Sequence, residues 1–462
     1  MGIDINIFRK EKGGDPEKVL KSEKARFRGE KGEDNVREII NLDEEWRKSL
    51  FVKDQFAKEF NQLNKTIGLK KKEGKDCAED LAKITEIKTK KAELEKIEEK
   101  MINELQTKLK TVGNIVHESV KIDDNEDNNE VIKVWGNIPN IKVNGTLGAL
   151  PHNKILALID GYDPKRGSRI AGHRGYFLKG KGALLNLALI NYGMSFLVNK
   201  GYTPIQTPYF MKKNIMGETC QLSDFDDQLY KVSTGKNDKE MKQNENEDED
   251  DDKYLIATSE QPISSYYYNE VIDPSELPIR FGGYSTCFRK EAGAHGKDAW
   301  GIFRVHQFEK IEQFVLSEPE KSWEEHEKML ACSEEFYQSL GLPYRVVSIV
   351  SGALNDAAAK KYDLEAWFPG YDTYRELVSC SNCTDFQSRG LNIRMAEKKG
   401  EEKKKGPTYV HMLNSTLAAT QRTLCCILEN YQTTEGVRVP KVLIPYMNTD
   451  FIPYTKELTK DN

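Results

Sequence analysis

Two long proline-free stretches, each with apolar residues at helical spacing and joined by a short glycine-containing break, restrict this chain more than any other feature. Residues 34 to 68 place Ile39, Leu42, Trp46, Phe56, Phe60, Leu63 and Ile67 on one helical stripe. The break GLKKKEGKD, residues 68 to 76, is dense in charge and carries Gly68 and Gly74. A second stripe follows with Leu81, Ile84, Ile87, Leu94, Met101, Leu105, Leu109 and Val112, and the seven-residue spacing of Ile87, Leu94 and Met101 favours a coiled-coil seam. Helices of roughly 30 residues would each span about 45 Å. The expectation is a long antiparallel coiled-coil arm over about residues 36 to 112, in an N-terminal domain of residues 1 to 120. Its surface is rich in lysine, including Lys70 to Lys72, Lys83, Lys88, Lys90 and Lys91. Such a rod is either a solvated coiled coil or an arm laid along an RNA backbone, where each lysine near a phosphate releases counterions.

Composition bounds the rest. A length of 462 residues suits two or three domains, and 31% charged against 38% hydrophobic residues suits a soluble protein rich in exposed helix. A net charge of -5 excludes a uniformly basic coat but not a local basic patch. No run of about 18 apolar residues is evident, so no membrane span is expected. The opening MGIDINIFRKEKGG has no apolar signal core, and Asn6 stands where a myristoylation signal needs Ser or Thr. The eight cysteines are scattered, which reads as reduced thiols and a cytoplasmic location.

Residues 121 to 131, KIDDNEDNNEV, are polar and read as the linker into a second unit covering residues 121 to 462. There, β-rich runs such as VIKVWGN, RGYFLKG, GYTPIQTPYF and YRVVSIV alternate with helical patterns at 182 to 199 and 413 to 431. That mixture predicts an α+β domain on a largely antiparallel sheet. An acidic segment at 233 to 253 and the Lys-rich segment 397 to 406 cannot bury a core and read as surface loops.

Several familiar chemistries fail on spacing. Gly180-Lys181-Gly182 lacks the third glycine of a dinucleotide fingerprint, since Leu185 stands there, and reads as a strand-to-helix turn. Cys380 and Cys383 have CxxC spacing without a second pair, so no structural zinc is expected. No GxSxG or HExxH occurs. The segment Phe288 to Glu312 is more telling. It sets Arg289 and Glu291 at its head and His306, Gln307, Phe308 and Glu312 at its end, around a Gly-containing loop. An arginine suits phosphate, an aromatic suits a flat base, and a carboxylate suits an ammonium or hydroxyl. His306 can be a structural hydrogen-bonding group or a general base. Thr258-Ser259-Glu260, Tyr374-Arg375-Glu376-Leu377-Val378-Ser379 and Asn414-Ser415-Thr416, the last read as opening a helix that carries Arg422, add further polar groups. Together they point to a nucleotide plus a small polar metabolite.

These residues resemble a class II aminoacyl-tRNA synthetase, specifically the seryl-tRNA synthetase family of eukaryotic cytosolic type, over nearly the whole length. Gly201 to Pro208 is similar to motif 1 of that family, Phe288 to Glu312 to motif 2, residues 413 to 431 to motif 3, and Thr258-Ser259-Glu260 to its serine-binding TxE element. The resemblance implies a coiled-coil arm followed by a catalytic domain on an antiparallel sheet flanked by helices. It implies that Arg289 takes the α-phosphate of ATP, with Lys290, Glu291, Arg304 and Val305 on the ATP side. Phe308 and Arg422 would cover the two faces of adenine. Glu376, Leu377, Val378 and Ser379 would complete the ATP site, with Glu376 and Ser379 holding Mg²⁺. Thr258, Ser259 and Glu260 would take the ammonium of L-serine, Glu312 its hydroxyl, and Asn414 and Thr416 would close that pocket. Arg289, Arg422 and Glu376 would be the catalytic groups. The implied product is seryl-tRNA on the terminal 3′-hydroxyl of tRNA(Ser), and of tRNA(Sec) where present. The implied assembly is a homodimer whose arm and motif 2 loop contact the tRNA. A non-catalytic paralogue would be expected to lack one of these charged groups, and a carrier-protein activator to lack the arm. Deleting residues 69 to 110 is expected to abolish aminoacylation while serine-dependent ATP–pyrophosphate exchange survives. Loss of both activities would overturn that division of labour.

Overall fold

The computed structural model describes residues 2–143, 146–220, 227–232, 252–292, 296, 298, 300–397 and 406–458. Most of the acidic segment 233 to 253, residues 398 to 405 of the Lys-rich loop, and residues 293 to 295, 297 and 299 of the motif 2 loop lie outside the described residues. The chain divides into two compact units, one of residues Gly2–Ile115 and one of Val116–Asn462.

In the first unit, helix α1 (Pro16–Ala25) opens on Asp15, whose carboxylate accepts from the Glu17 and Lys18 amides, with Pro16 at the first helical position. Helix α2 (Gly29–Lys72) and helix α3 (Ala78–Leu109) form the antiparallel pair. At 44 residues α2 is about 66 Å long and exceeds the length expected from its pattern. Gly68 does not end it. A glycine inside a helix costs about 1 kcal/mol relative to alanine, which packing against α3 can offset. The chain turns at Gly74, whose φ of +69° only glycine adopts readily.

The seam buries Ile39, Ile67, Ile84, Ile87 and Leu105, whereas Leu94 and Met101 are half-buried and Leu81 is exposed. Two helices side by side can cover only a narrow stripe of each other, so the outer residues of the pattern stay wet. Cross-helix ion pairs Lys70–Asp80, Lys53–Glu98 and Lys108–Glu38 fix the register. Glu98 is buried within the seam.

The second unit is built on an eight-stranded sheet: β1 (Glu130–Trp135), β2 (Thr203–Gln206), β3 (Ile279–Phe288), β4 (Gln307–Ser317), β5 (Tyr344–Ser348), β6 (Lys360–Phe368), β7 (Thr373–Asn382) and β8 (His411–Ala419). Their spatial order is β1-β5-β6-β7-β8-β4-β3-β2, antiparallel throughout except for the β3–β2 pair. Helices α4 (Gly180–Asn199), α5 (Ser322–Ser339) and α6 (Thr420–Asn430) pack on it. Two expectations change. Residues 413 to 419 form the end of β8, not a helix. They are buried on both faces except at Ala419, so the period-two alternation that betrays a half-exposed strand is missing. Residues 121 to 131 are no free linker. The Ser351 and Gly352 amides donate to the carbonyls of Lys121 and Asp123, and the segment runs into β1. Helix α4 is long and apolar enough by composition to cross a membrane. It is a core helix, with Leu185, Leu189 and Leu197 wholly buried.

Because α2 and α3 depend on each other, removing residues 69 to 110 strips α2 of its partner. We predict that deleting residues 54 to 97 across a short glycine linker, which keeps Lys53 beside Glu98, leaves a protein of lower helix content with its main unfolding midpoint within about 2 °C of the parent. The 69 to 110 deletion removes Leu105 from the cluster around Ile39 and should aggregate, so survival of pyrophosphate exchange without the arm is read on the 54 to 97 deletion, not on the 69 to 110 deletion. Circular dichroism melting and size-exclusion chromatography distinguish the two.

Candidate active site

The pleat of β4 sets the site. Alternation puts Phe308, Lys310 and Glu312 on one face, and they line a cleft of about 460 Å³. Arg289 and Glu291 reach it from the end of β3, Thr258 and Glu260 from the start of a short helix at Glu260–Ser264, Glu376 and Ser379 from β7, Asn414 and Thr416 from β8, and Arg422 from α6. Arg304 and Val305 line it just before β4. Of the candidate residues, Lys290, Ser259 and Val378 do not line the cleft. Ser259 is wholly buried behind the wall, where its hydroxyl donates to Glu312. Val378 is wholly buried in the hydrophobic core. Lys290 lies between the lining residues Arg289 and Glu291, and its amide donates to the Gln228 carbonyl.

One corner is acidic and anchored. Glu312, 1% exposed, accepts on Oε2 from Thr258 Oγ1 at 2.8 Å, Ser259 Oγ at 3.2 Å and Lys310 Nζ at 2.6 Å. Glu260 accepts on Oε1 from Gln387 Nε2 at 2.8 Å and Asn414 Nδ2 at 3.0 Å. Each carboxylate therefore has one oxygen tied to protein donors, and both residues line the cleft. Burial and the neighbouring Glu312 push the Glu260 carboxyl up to about 7, against the pull of Lys310, the Gln387 amide and Arg289. Gly283 faces Glu312 across the β3–β4 ladder. A Cβ there would stand 2.4 Å from Ile263 Cδ1 and 3.2 Å from Ser259 Oγ, so a side chain would have to displace the Ile263 methyl and would crowd the hydroxyl that reaches Glu312.

The other wall is aromatic and cationic. The Arg289 guanidinium lies 5.2 Å from the Phe308 ring centroid and donates from Nε to the Ala257 carbonyl at 3.3 Å. Two guanidinium groups lie over the Phe303 ring, that of Arg375 3.4 Å from its centroid and that of Arg422 at 4.8 Å. Arg304 pairs with Glu291 at 2.7 Å, and Arg375 with Asp298 at 2.6 Å. His306 contacts the Arg289 carbonyl through Nδ1 at 2.9 Å, a structural contact. Desolvation by the surrounding cleft acts to raise the Glu376 carboxyl, although 47% of its side chain is exposed, but Arg422, whose Nη1 lies 3.5 Å from Glu376 Oε2, together with Lys361, Arg289 and Lys310 holds it below its ordinary value.

The oxygen donors Glu376 and Ser379 stand beside Asp363, whose Oδ1 is buried without a hydrogen-bond partner among the described residues and whose carboxyl burial pushes up to about 7. Mg²⁺ is satisfied by one or two protein oxygens plus phosphates and water, and this donor set fits it. Cys380, Cys383, Cys425 and Cys426 are buried thiols.

Sequence reasoning missed Lys310, Gln387, Phe303 and Lys361. For Lys310 the signal was present, since it is two residues from both Phe308 and Glu312 on a strand. Gln387 sits on the short helix Phe386–Gly390 and has no local signature.

The chain matches the family models for the tRNA synthetase class II core domain (G, H, P, S and T) over residues 230–431 and for the seryl-tRNA synthetase N-terminal domain over residues 3–116. It is 53% identical over 465 residues to the cytoplasmic serine–tRNA ligase of Dictyostelium discoideum, covering 100% of this chain and 97% of that protein. Its fold is similar to the cytoplasmic serine–tRNA ligase of Naegleria fowleri in complex with AMP, with a TM-score of 0.85, 47% identity, and coverage of 99% of this chain and 100% of that one. It is also similar to the seryl-tRNA synthetase of Pyrococcus horikoshii complexed with ATP, with a TM-score of 0.87, 39% identity, and coverage of 98% and 100%. On its sequence, its fold and the arrangement of its cleft, the chain belongs to the seryl-tRNA synthetase family, among the class II aminoacyl-tRNA synthetases.

Proposed function

We propose that this protein is a cytoplasmic serine–tRNA ligase. It activates L-serine with ATP to seryl-adenylate and pyrophosphate, then transfers the seryl group to the terminal adenosine of tRNA(Ser), and of tRNA(Sec) where that RNA is present. The observation that carries this reading is the junction, in one cleft, of a wall of arginine and aromatic groups with an acidic corner whose carboxylates are each anchored by one oxygen. A non-catalytic paralogue has no use for such an arrangement.

In the first step the serine carboxylate attacks the α-phosphorus of ATP and pyrophosphate departs. Both reactants are anions, so alignment and neutralisation supply most of the rate. Arg289 presents a fixed guanidinium to the α-phosphate, held in place by Phe308 and the Ala257 carbonyl. Phe308 and Arg422 receive the adenine, while Arg304 exchanges Glu291 for phosphate oxygens. Glu376 and Ser379 would hold Mg²⁺, which screens the phosphate charge when bound. No general base is required, because the attacking carboxylate is already ionised.

The acidic corner selects the amino acid. Glu260 takes the ammonium, with Thr258 beside it, and Glu312 accepts the side-chain hydroxyl. Asn414, which anchors Glu260, and Thr416 complete the pocket. Alanine would leave the substrate-binding oxygen of Glu312 without the hydroxyl, a loss worth about 10⁴-fold. Threonine would be excluded by its extra methyl.

The arm would grip the tRNA. Lys70, Lys90 and Lys91 pair with Asp80, Glu86 and Glu95. Lys71, Lys72 and Lys83 carry no ion pair among the described residues and are the better candidates for phosphate contacts. A homodimer through motif 1 is supported by the exposed Leu184, Leu187 and Val198 of α4 and by the position of β2 at the sheet edge.

Arg289→Ala is expected to lower kcat/KM for serine-dependent pyrophosphate exchange by about 10²- to 10³-fold with an unchanged melting temperature. Exchange with another amino acid in place of serine would refute the substrate assignment. Serine binding needs ionised Glu260, so kcat/KM for serine should fall by about tenfold per unit as pH drops below 7. Stability carries the opposite sign. Between the ordinary value of 4.5 and about 7 the folded protein keeps a proton that the unfolded chain has released, so this contribution is lost as pH rises. Glu260→Gln should therefore raise the melting temperature more at pH 8 than at pH 5.5, and an equal change at both would contradict the assignment.

A further inference from the structure

The acidic corner contains a cation that the roles above leave without a task. Lys310 is 6% exposed and lies on the cleft-facing side of β4, two residues from Glu312. Its strand neighbours are small, Ser285 on β3 and Ala419 on β8, which leaves room for its stem. Its Nζ lies 2.6 Å from Glu312 Oε2. A buried ion pair is weak evidence for stability, because desolvation of both charges cancels much of their attraction. A lysine at this place therefore asks for another explanation.

We infer that Lys310 is a positioning residue for serine activation. By occupying Glu312 Oε2 together with Thr258 and Ser259 it turns Oε1 toward the substrate hydroxyl. By offsetting one of the two carboxylates it also leaves the corner a single net negative charge for the incoming ammonium to meet. With Lys310 in place, Glu260, Glu312 and Lys310 sum to one negative charge, and the serine ammonium brings the site to neutrality. Without Lys310, two carboxylates share a dry corner, and one of them must take a proton or a foreign cation. Arg289 cannot substitute, because it is stacked on Phe308 and directed at the nucleotide. The inference rests on the serine reading above.

Lys310→Met keeps the stem and removes the charge. Truncating one member of a buried hydrogen-bonded pair costs enough to raise the serine KM roughly 30-fold or more, with the ATP KM within about threefold of the parent. The pH profile gives a readout that a structural role would not move. Glu260 is faced by Glu312 and Lys310 of β4, Gln387, Asn414 of β8 and Arg289, and the Cys287 thiol of β3, pushed up by burial, also faces Lys310. Lys310 pulls Glu260 down, so its loss should move the acid limb of kcat/KM for serine to higher pH.

The double variant Lys310→Met/Glu312→Gln should lose far less than the product of the two single losses, since Lys310 acts through Glu312. Lys310→Gln carries the same expectations if Lys310→Met does not fold. An unchanged serine KM, or equal rises in both KM values with an unmoved acid limb, overturns the inference. Failure of the parent protein to exchange pyrophosphate with serine at all would instead overturn the serine reading.

Discussion

The pleat of one central strand governs the cleft. β4 runs between β3 and β8, and its alternation sends Phe308, Lys310 and Glu312 to the same side at intervals of about 7 Å. A shift of one residue in its pairing would bury all three and turn Glu309, Ile311 and Gln313 to the cleft instead. That register is held from both sides. Ten residues of β3 pair with β4, and β8 covers the other edge with a bulge at Ile311/Glu312. On the reverse face Gln313, wholly buried, donates to the Met329 carbonyl and to Ser333 Oγ, which ties the strand to α5. The spacing between base, phosphate and amino-acid subsites thus comes from backbone geometry, with side chains supplying the chemistry.

Polar groups in this cleft are arranged by division of each side chain between protein and substrate. Glu312 and Glu260 each commit one oxygen to fixed donors. Arg289 commits its Nε to a carbonyl. Side chains held in this way lose little conformational freedom when a ligand arrives, so more of the interaction free energy remains available for binding and alignment.

Much of this is legible in the sequence because it depends on local order. The helix pair follows from two proline-free apolar stripes, and the residues at the ends of β3 and β4 follow from one continuous segment. What is not legible depends on distant parts of the chain meeting. Gln387 reaches Glu260 from 127 positions away, and Phe303 meets two arginines from β7 and α6. The end of β8 reads as helix because a strand buried on both faces loses its alternation. The extra length of α2 is hidden by Gly68, which a packed helix tolerates.

Gly283 has a consequence of a different kind. It has no side chain to offer a substrate and carries no chemistry. Yet a side chain at this position would displace the Ile263 methyl and crowd Ser259, whose hydroxyl holds Glu312. A catalogue of variants that scored residues by distance to ligand would rank it as harmless. Its effect would reach the amino-acid end of the cleft indirectly, through the packing of Ile263 and Ser259 behind Glu312.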